Sequence, residues 1–126
     1  MSNFIPPSEP PSFSLEESIP GGVVVITVRG YFNDSAGQEL SEIINRHLRE
    51  DRTRFVFDFQ FCSLINSMGV ADLLEIALRI VEDFKGKLIL SALKPFMAEI
   101  LTLASVLPIA KAAQDAETAL KDISSD

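Results

Sequence analysis

The strongest constraint in this chain is a change of period. From Arg54 to Phe61 the residues alternate, with Phe55, Phe57, Phe59 and Phe61 on one side and Arg54, Val56, Asp58 and Gln60 on the other. Successive side chains of a strand point to opposite faces, so this pattern predicts a strand with its phenylalanines on a single face. A few residues later the period becomes helical. Val70, Leu73, Leu74, Ala77, Leu78, Val81 and Phe84 make an apolar stripe, with Asp72, Glu75, Arg79, Glu82 and Asp83 opposite. Gly86 ends that helix as a C-terminal glycine. A buried strand that runs into an amphipathic helix calls for a sheet with helices packed on it.

The rest of the chain repeats the theme. Phe13 to Ser18 reads as a short strand, Pro20-Gly21-Gly22 as a turn, and the β-branched run Val23 to Val28 as a buried strand closed by Gly30. Ala36, Leu40, Ile43, Ile44 and Leu48 recur at helical spacing, and Asn33, Asp34 or Ser35 can cap that helix. Lys87 to Ala92 is a further strand. Pro95 opens a helix whose apolar face is Phe96, Met97, Ile100, Leu101, Ala104 and Leu107, and Pro108 stops it. Ile109 to Ala113 reads as an edge strand, and Asp115 caps a last helix carrying Ala116, Leu120 and Ile123. The expected fold class is α/β. It is a single domain over residues 13–126, with a mixed, mostly parallel sheet of four to five strands and about four helices against it. Residues 1–12 hold four of the seven prolines and read as a flexible arm.

Composition removes several functions. With 126 residues and about half of them apolar, the chain suits one domain with one real core. A formal charge of −7 argues against nucleic acid or an anionic membrane surface as the main partner. One cysteine, Cys62, excludes an internal disulfide, and one histidine, His47, leaves no histidine cluster for a metal. Neither a signal peptide nor a membrane-length apolar run is visible, so a cytoplasmic protein is expected. No P-loop or dinucleotide fingerprint is present, because Gly21-Gly22 precedes a strand rather than a helix. No cofactor is expected.

The remaining chemical feature is Asn66-Ser67-Met68-Gly69, where the second helix opens at Asn66 or Ser67. A Ser67–His47–Asp58 triad would need the Gly-x-Ser-x-Gly elbow, and Ile65 stands where the first glycine belongs. His47 reads instead as a half-buried structural residue, and Cys62 as a small buried one. Capping is the plainer role for Ser67 on local chemistry. A phosphate there is also physically comfortable, since free amides and the positive helix end favour an anion.

In Phe55-Val56-Phe57-Asp58-Phe59, Ile65-Asn66-Ser67-Met68-Gly69-Val70 and Lys87-Leu88-Ile89-Leu90 with Lys94-Pro95, the chain resembles a STAS domain, the fold of anti-sigma factor antagonists. The resemblance covers about residues 13–123. It implies a non-enzymatic switch that binds an anti-sigma factor of the histidine-kinase-like ATPase class. Ser67 matches the serine that this kinase phosphorylates, and a metal-dependent serine phosphatase would restore it. ATP and metal would belong to those partners. The family's acidic residue before the serine is Asn66 here, and Met68 stands where Ser or Thr is usual. After the early strand the family's Gly-x-(Leu/Ile)-Asp is Gly30-Tyr31-Phe32-Asn33, with Asp34 next. A second reading is a STAS subunit docked on the ATPase of a lipid-transporting ABC complex, without a phosphoswitch. A third is a serine hydrolase using Ser67.

Helical geometry adds an expected docking face. With Val70, Leu74, Ala77 and Val81 inward, Met68 projects nearly opposite, Ile76 lies well away, and Asp72 falls between them. Met68, Asp72 and Ile76 beside Asn66 and Ser67, with Asn33 and Asp34 at the edge, form the predicted partner surface.

Overall fold

The computed structural model describes residues 12–124, so the expected arm lies outside the described residues apart from Ser12. Strand β1 is Phe13–Ser18, β2 Val24–Phe32, β3 Arg54–Ile65, β4 Lys87–Ser91 and β5 Lys111–Ala113. The helices are α1 Asp34–Arg49, α2 Ser67–Leu78, α3 Pro95–Leu103 and α4 Ala116–Ser124. The sheet order is β1-β2-β3-β4-β5, with β1 antiparallel to β2 and the other pairs parallel. This is the α/β class and element order that the periodicities predict.

Two apolar layers enclose the sheet. On one face Val24, Ile26, Val28, Phe55, Phe57, Phe59, Leu88 and Leu90 meet the inner sides of α1, α2 and α3. On the other, Val23, Val25, Val56 and Ile89 meet Ala119 and Ile123 of α4. The phenylalanines pack edge to face, with ring centroids 6.4 Å apart for Phe55–Phe57 and 6.1 Å for Phe32–Phe59.

The phenylalanine face ends earlier than the alternation suggests. Thr27 pairs with Asp58 but Arg29 with Phe61, and Gly30 pairs with Cys62 but Tyr31 with Leu64. Strand β3 therefore carries an extra residue at two places. Each bulge reverses the inward–outward parity of the residues beyond it. Phe61 is turned out and is 47% exposed, while Cys62 takes the inward position. Asp58 fastens the first bulge, its Oδ1 accepting from Gln60 N–H at 3.1 Å and from the Ser91 hydroxyl at 3.2 Å. Gly30 does not close β2 but sits inside it with φ +81°, and a Cβ there would collide with the Ser12 carbonyl.

The second helix also departs from a uniform period. Beyond Leu78 it widens into a π turn over Arg79–Asp83, closed by Phe84 N–H to Arg79 O at 3.0 Å. The wider turn rotates the residues after it about the helix axis. Ile80 is buried, while Phe84, expected in the core stripe, is exposed. Leu78 is exposed as well, because α1 covers a different side of α2. Arg79 fixes that pairing by donating to Ser41 Oγ and Asn45 Oδ1, both at 3.0 Å. On α3 only Met97 and Leu101 are fully buried, and Phe96, Ile100 and Leu103 face outward. Leu107 lies past the helix end, and β5 is shorter than its expected span.

Candidate functional site

The parallel strands β2 and β3 end side by side, with Phe32 paired to Ile65. Each runs through one extended asparagine into a helix. Asn33 Oδ1 accepts from Ala36 N–H at 3.0 Å, and Asn66 Oδ1 accepts from Gly69 N–H at 2.8 Å. The two amides are thus the N-caps of α1 and α2. Asn66 N–H also donates to Phe32 O at 3.2 Å, tying the two ends together. A side chain at Gly69 would strike that same Phe32 carbonyl, so this helix start requires glycine.

With Asn66 as the cap, Ser67 occupies the first helical position and is exposed. Among the described residues nothing engages its hydroxyl. The plainer role expected for it, capping, belongs to its neighbour. Met68 is 55% exposed, as helical geometry predicts. Leu64 is 48% exposed, because the second bulge in β3 turns it outward. Strict alternation would bury Phe61; the first bulge turns it outward instead, under the Arg29 guanidinium, which lies 4.2 Å from the ring centroid. The cue was Cys62 and Ile65, two buried residues three apart, which no regular strand accommodates on one face.

Ile76 is a correction to the predicted docking face. It is 1% exposed and fully buried, since α1 packs over the flank of α2 that carries it. Asp72 is half-buried rather than fully outward. Gly37 of α1 makes room for it, as a Cβ there would overlap the Asp72 carboxylate. Its Oδ2 is enclosed without a hydrogen-bond partner. Burial, then Glu75, then Asp34 push this carboxyl above its ordinary value of 3.8. Asp34 itself is exposed in the first turn of α1. Asn33, Asp34, Asn66, Ser67, Met68 and Asp72 therefore gather at one end of the paired helices, and Ile76 does not. From the adjoining loop, Lys94 donates to Cys62 O at 2.6 Å and pins the bulged end of β3 to the start of α3.

The triad residues are not assembled. His47 lies in the last turn of α1, about 20 Å along that helix from its start beside Ser67. It is fully buried, not half-buried, with Nε2 2.8 Å from Glu17 Oε1 and Nδ1 3.3 Å from Arg52. Burial pushes the Glu17 carboxyl up. Hydrogen bonds from His47 and Arg46, with the Arg46 charge, outweigh it and hold Glu17 below its ordinary value. Asp58 is spent on the bulge and Ser91. Burial pushes the Cys62 thiol up, which leaves it a packing residue. No helix among the described residues is long and apolar enough to cross a membrane.

The family model described as STAS domain matches residues 15–119, and the chain belongs to that family. No curated protein matches it by sequence. Among solved structures it is similar to the Bacillus cell fate determinant SpoIIAA in its phosphorylated form. That pair is 24% identical with TM-score 0.68, covering 89% of this chain and 99% of the other. An anti-sigma factor antagonist from Mycobacterium paratuberculosis is 16% identical with TM-score 0.76, covering 89% and 94%. A sulfate transporter family protein from Wolinella succinogenes is 17% identical with TM-score 0.72, covering 84% and 88%. At these identities the likeness is one of fold.

Proposed function

We propose that this chain is a cytoplasmic partner-switching regulator of the anti-sigma factor antagonist type, acting by binding rather than catalysis. The observation that carries the reading is Ser67: exposed at the first position of α2, with its hydroxyl free and the capping done by Asn66. A kinase can reach such a hydroxyl without unfolding the helix. Phosphate there adds about −1.5 to −2 charge. The helix end favours that charge locally, while Asp34 and Asp72 already make the surface acidic. A partner that accepts the unmodified face, with Met68 and Leu64 as apolar contacts, would meet a doubly charged group after modification. The partner class is an anti-sigma factor that doubles as a histidine-kinase-like serine kinase, and a metal-dependent serine phosphatase reverses the mark.

Phosphopeptide mapping of the protein isolated from its own cells, and after incubation with its kinase and ATP, tests the assignment. Phosphate is expected on Ser67, and phosphate confined to Ser35 or Ser63 would overturn it. Ser67→Asp should weaken partner binding about tenfold or more, as like charges in an interface do, while Ser67→Ala should bind and resist the kinase.

A second reading, a subunit held permanently on a transporter ATPase, draws support from the outward stripe of Phe96, Ile100 and Leu103 on α3. In that case binding would be indifferent to Ser67→Asp and lost on Leu103→Lys.

A further inference from the structure

A cleft lies at the other end of the sheet from Ser67. Ser67 follows the C-terminal end of β3, whereas this cleft opens at the N-terminal end of β4, which runs parallel to β3. Its origin is the shortness of β5. That strand pairs only with Ile89, Leu90 and Ser91, so Lys87 and Leu88 have no β5 residue beside them. A cleft of about 440 Å³ occupies the place where a longer fifth strand would run. Clefts of ~300–1,000 Å³ are the size that holds small molecules.

The walls determine what such a molecule must be. Leu88 belongs to the larger core, with Val81 and Ile109 packed against it, and these line one side. Ile89 and Ile123 belong to the smaller core under α4 and line the other. Elsewhere the sheet separates the two apolar layers, but here its edge is missing and both are open to the cleft. The body of an occupant is therefore apolar. The polar lining is Lys87, Lys111 and Asp122, two cations to one anion in a chain whose net charge is −7. Lys87 and Asp122 each already have an interaction within the protein. Lys111, on exposed β5, has no partner among the described residues.

We propose that this cleft binds a small amphiphile with one anionic head, of the medium-chain carboxylate class. The tail lies between the Leu88 and Ile123 walls and the head pairs with the Lys111 ammonium. The site stands independently of the role of Ser67, since the two lie at opposite ends of the sheet.

The test is a methyl-labelled NMR titration of the full chain with decanoate, with decanol and butyrate as separate arms. Saturable shifts are expected in the methyls of Val81, Leu88, Ile89, Ile109 and Ile123, with those of Met68 and Leu64 unmoved. Decanol, which lacks the charge, and butyrate, which lacks the tail, should each bind about tenfold or more weakly. Lys111→Glu should lower decanoate affinity about tenfold without moving the thermal midpoint, because the residue is exposed. Three results would overturn the proposal: no saturable shift, equal affinity for decanol, or shifts centred on Leu64, Met68 or α3.

Discussion

Asp72→Asn should stabilise this protein at neutral pH, although it removes a charge from a largely polar flank of α2. The carboxylate presses on Gly37 of α1, and its Oδ2 is enclosed with no donor in reach. An unsatisfied buried acceptor costs about 1–3 kcal/mol, and the low end applies because Asp72 is only half-buried. Asparagine keeps the shape, brings a donor, and removes repulsion from Glu75 and Asp34. A gain of about 1 kcal/mol follows, or ~4 °C in thermal midpoint for a domain of this size. The pH dependence identifies the cause. A carboxyl whose folded value is raised weakens the fold fully above that value, and the penalty vanishes once pH falls below the unfolded value of 3.8. The variant's advantage should therefore be present at pH 7 and shrink toward zero on acidification. Paired denaturant melts of variant and wild type at each pH measure this, because other acid-sensitive groups cancel in the difference. A variant less stable at pH 7, or an advantage that persists at pH 3, refutes the reasoning.

Three further outcomes are expected. Phe57→Ala should cost ~3–5 kcal/mol in chemical denaturation and Phe61→Ala less than about 1, since the bulge after Asp58 separates a buried ring from an exposed one. Met68→Lys should leave the thermal midpoint within about 2 °C of wild type and reduce partner affinity in calorimetry. Ile76→Lys should instead unfold the protein by burying a charge under α1. Glu17→Gln tests the opposite pH sign to Asp72. Its lowered folded value contributes stability that is present above the unfolded value of 4.5 and lost as pH falls through the folded value, so wild type should lead at pH 7 and the lead should close in acid.

Much of the fold was legible because two periods state most of it. The β-branched run of β2, the phenylalanines of β3 and the stripe of α1 each specify an element and its inner face. The π turn of α2 was not legible. Nothing local in Arg79-Ile80-Val81-Glu82-Asp83 departs from a helical pattern. The turn follows from tertiary demands: Arg79 must reach Ser41 and Asn45 on α1 while Ile80 enters the core. Nor could the sequence show that α1 would cover the flank holding Ile76, since a helical wheel records one buried direction and α2 has two, toward the sheet and toward α1.

The end of the sheet that carries Ser67 follows the two bulges of β3, which explains why it was legible only in part. Asn66 and Ser67 were visible together as a helix start, and which one caps was decided by geometry: Asn66 Oδ1 reaches Gly69 N–H and leaves the serine outside. Phe61 was hidden because strict alternation from Phe55 assigns it to the core, whereas Leu64 falls on the outward side with or without the two bulges. The first bulge reverses the inward–outward order and the second restores it, so Phe61 is turned out, Cys62 and Ile65 are buried, and Leu64 is exposed three residues before Ser67. A strand that kept its register throughout would have buried Phe61 and exposed Cys62. Asp58, held by Gln60 N–H and the Ser91 hydroxyl, thus acts on the facing of the end of β3 that leads toward Ser67. Its buried carboxylate fixes the first bulge, and the bulge sets which side chains of β3 face the core.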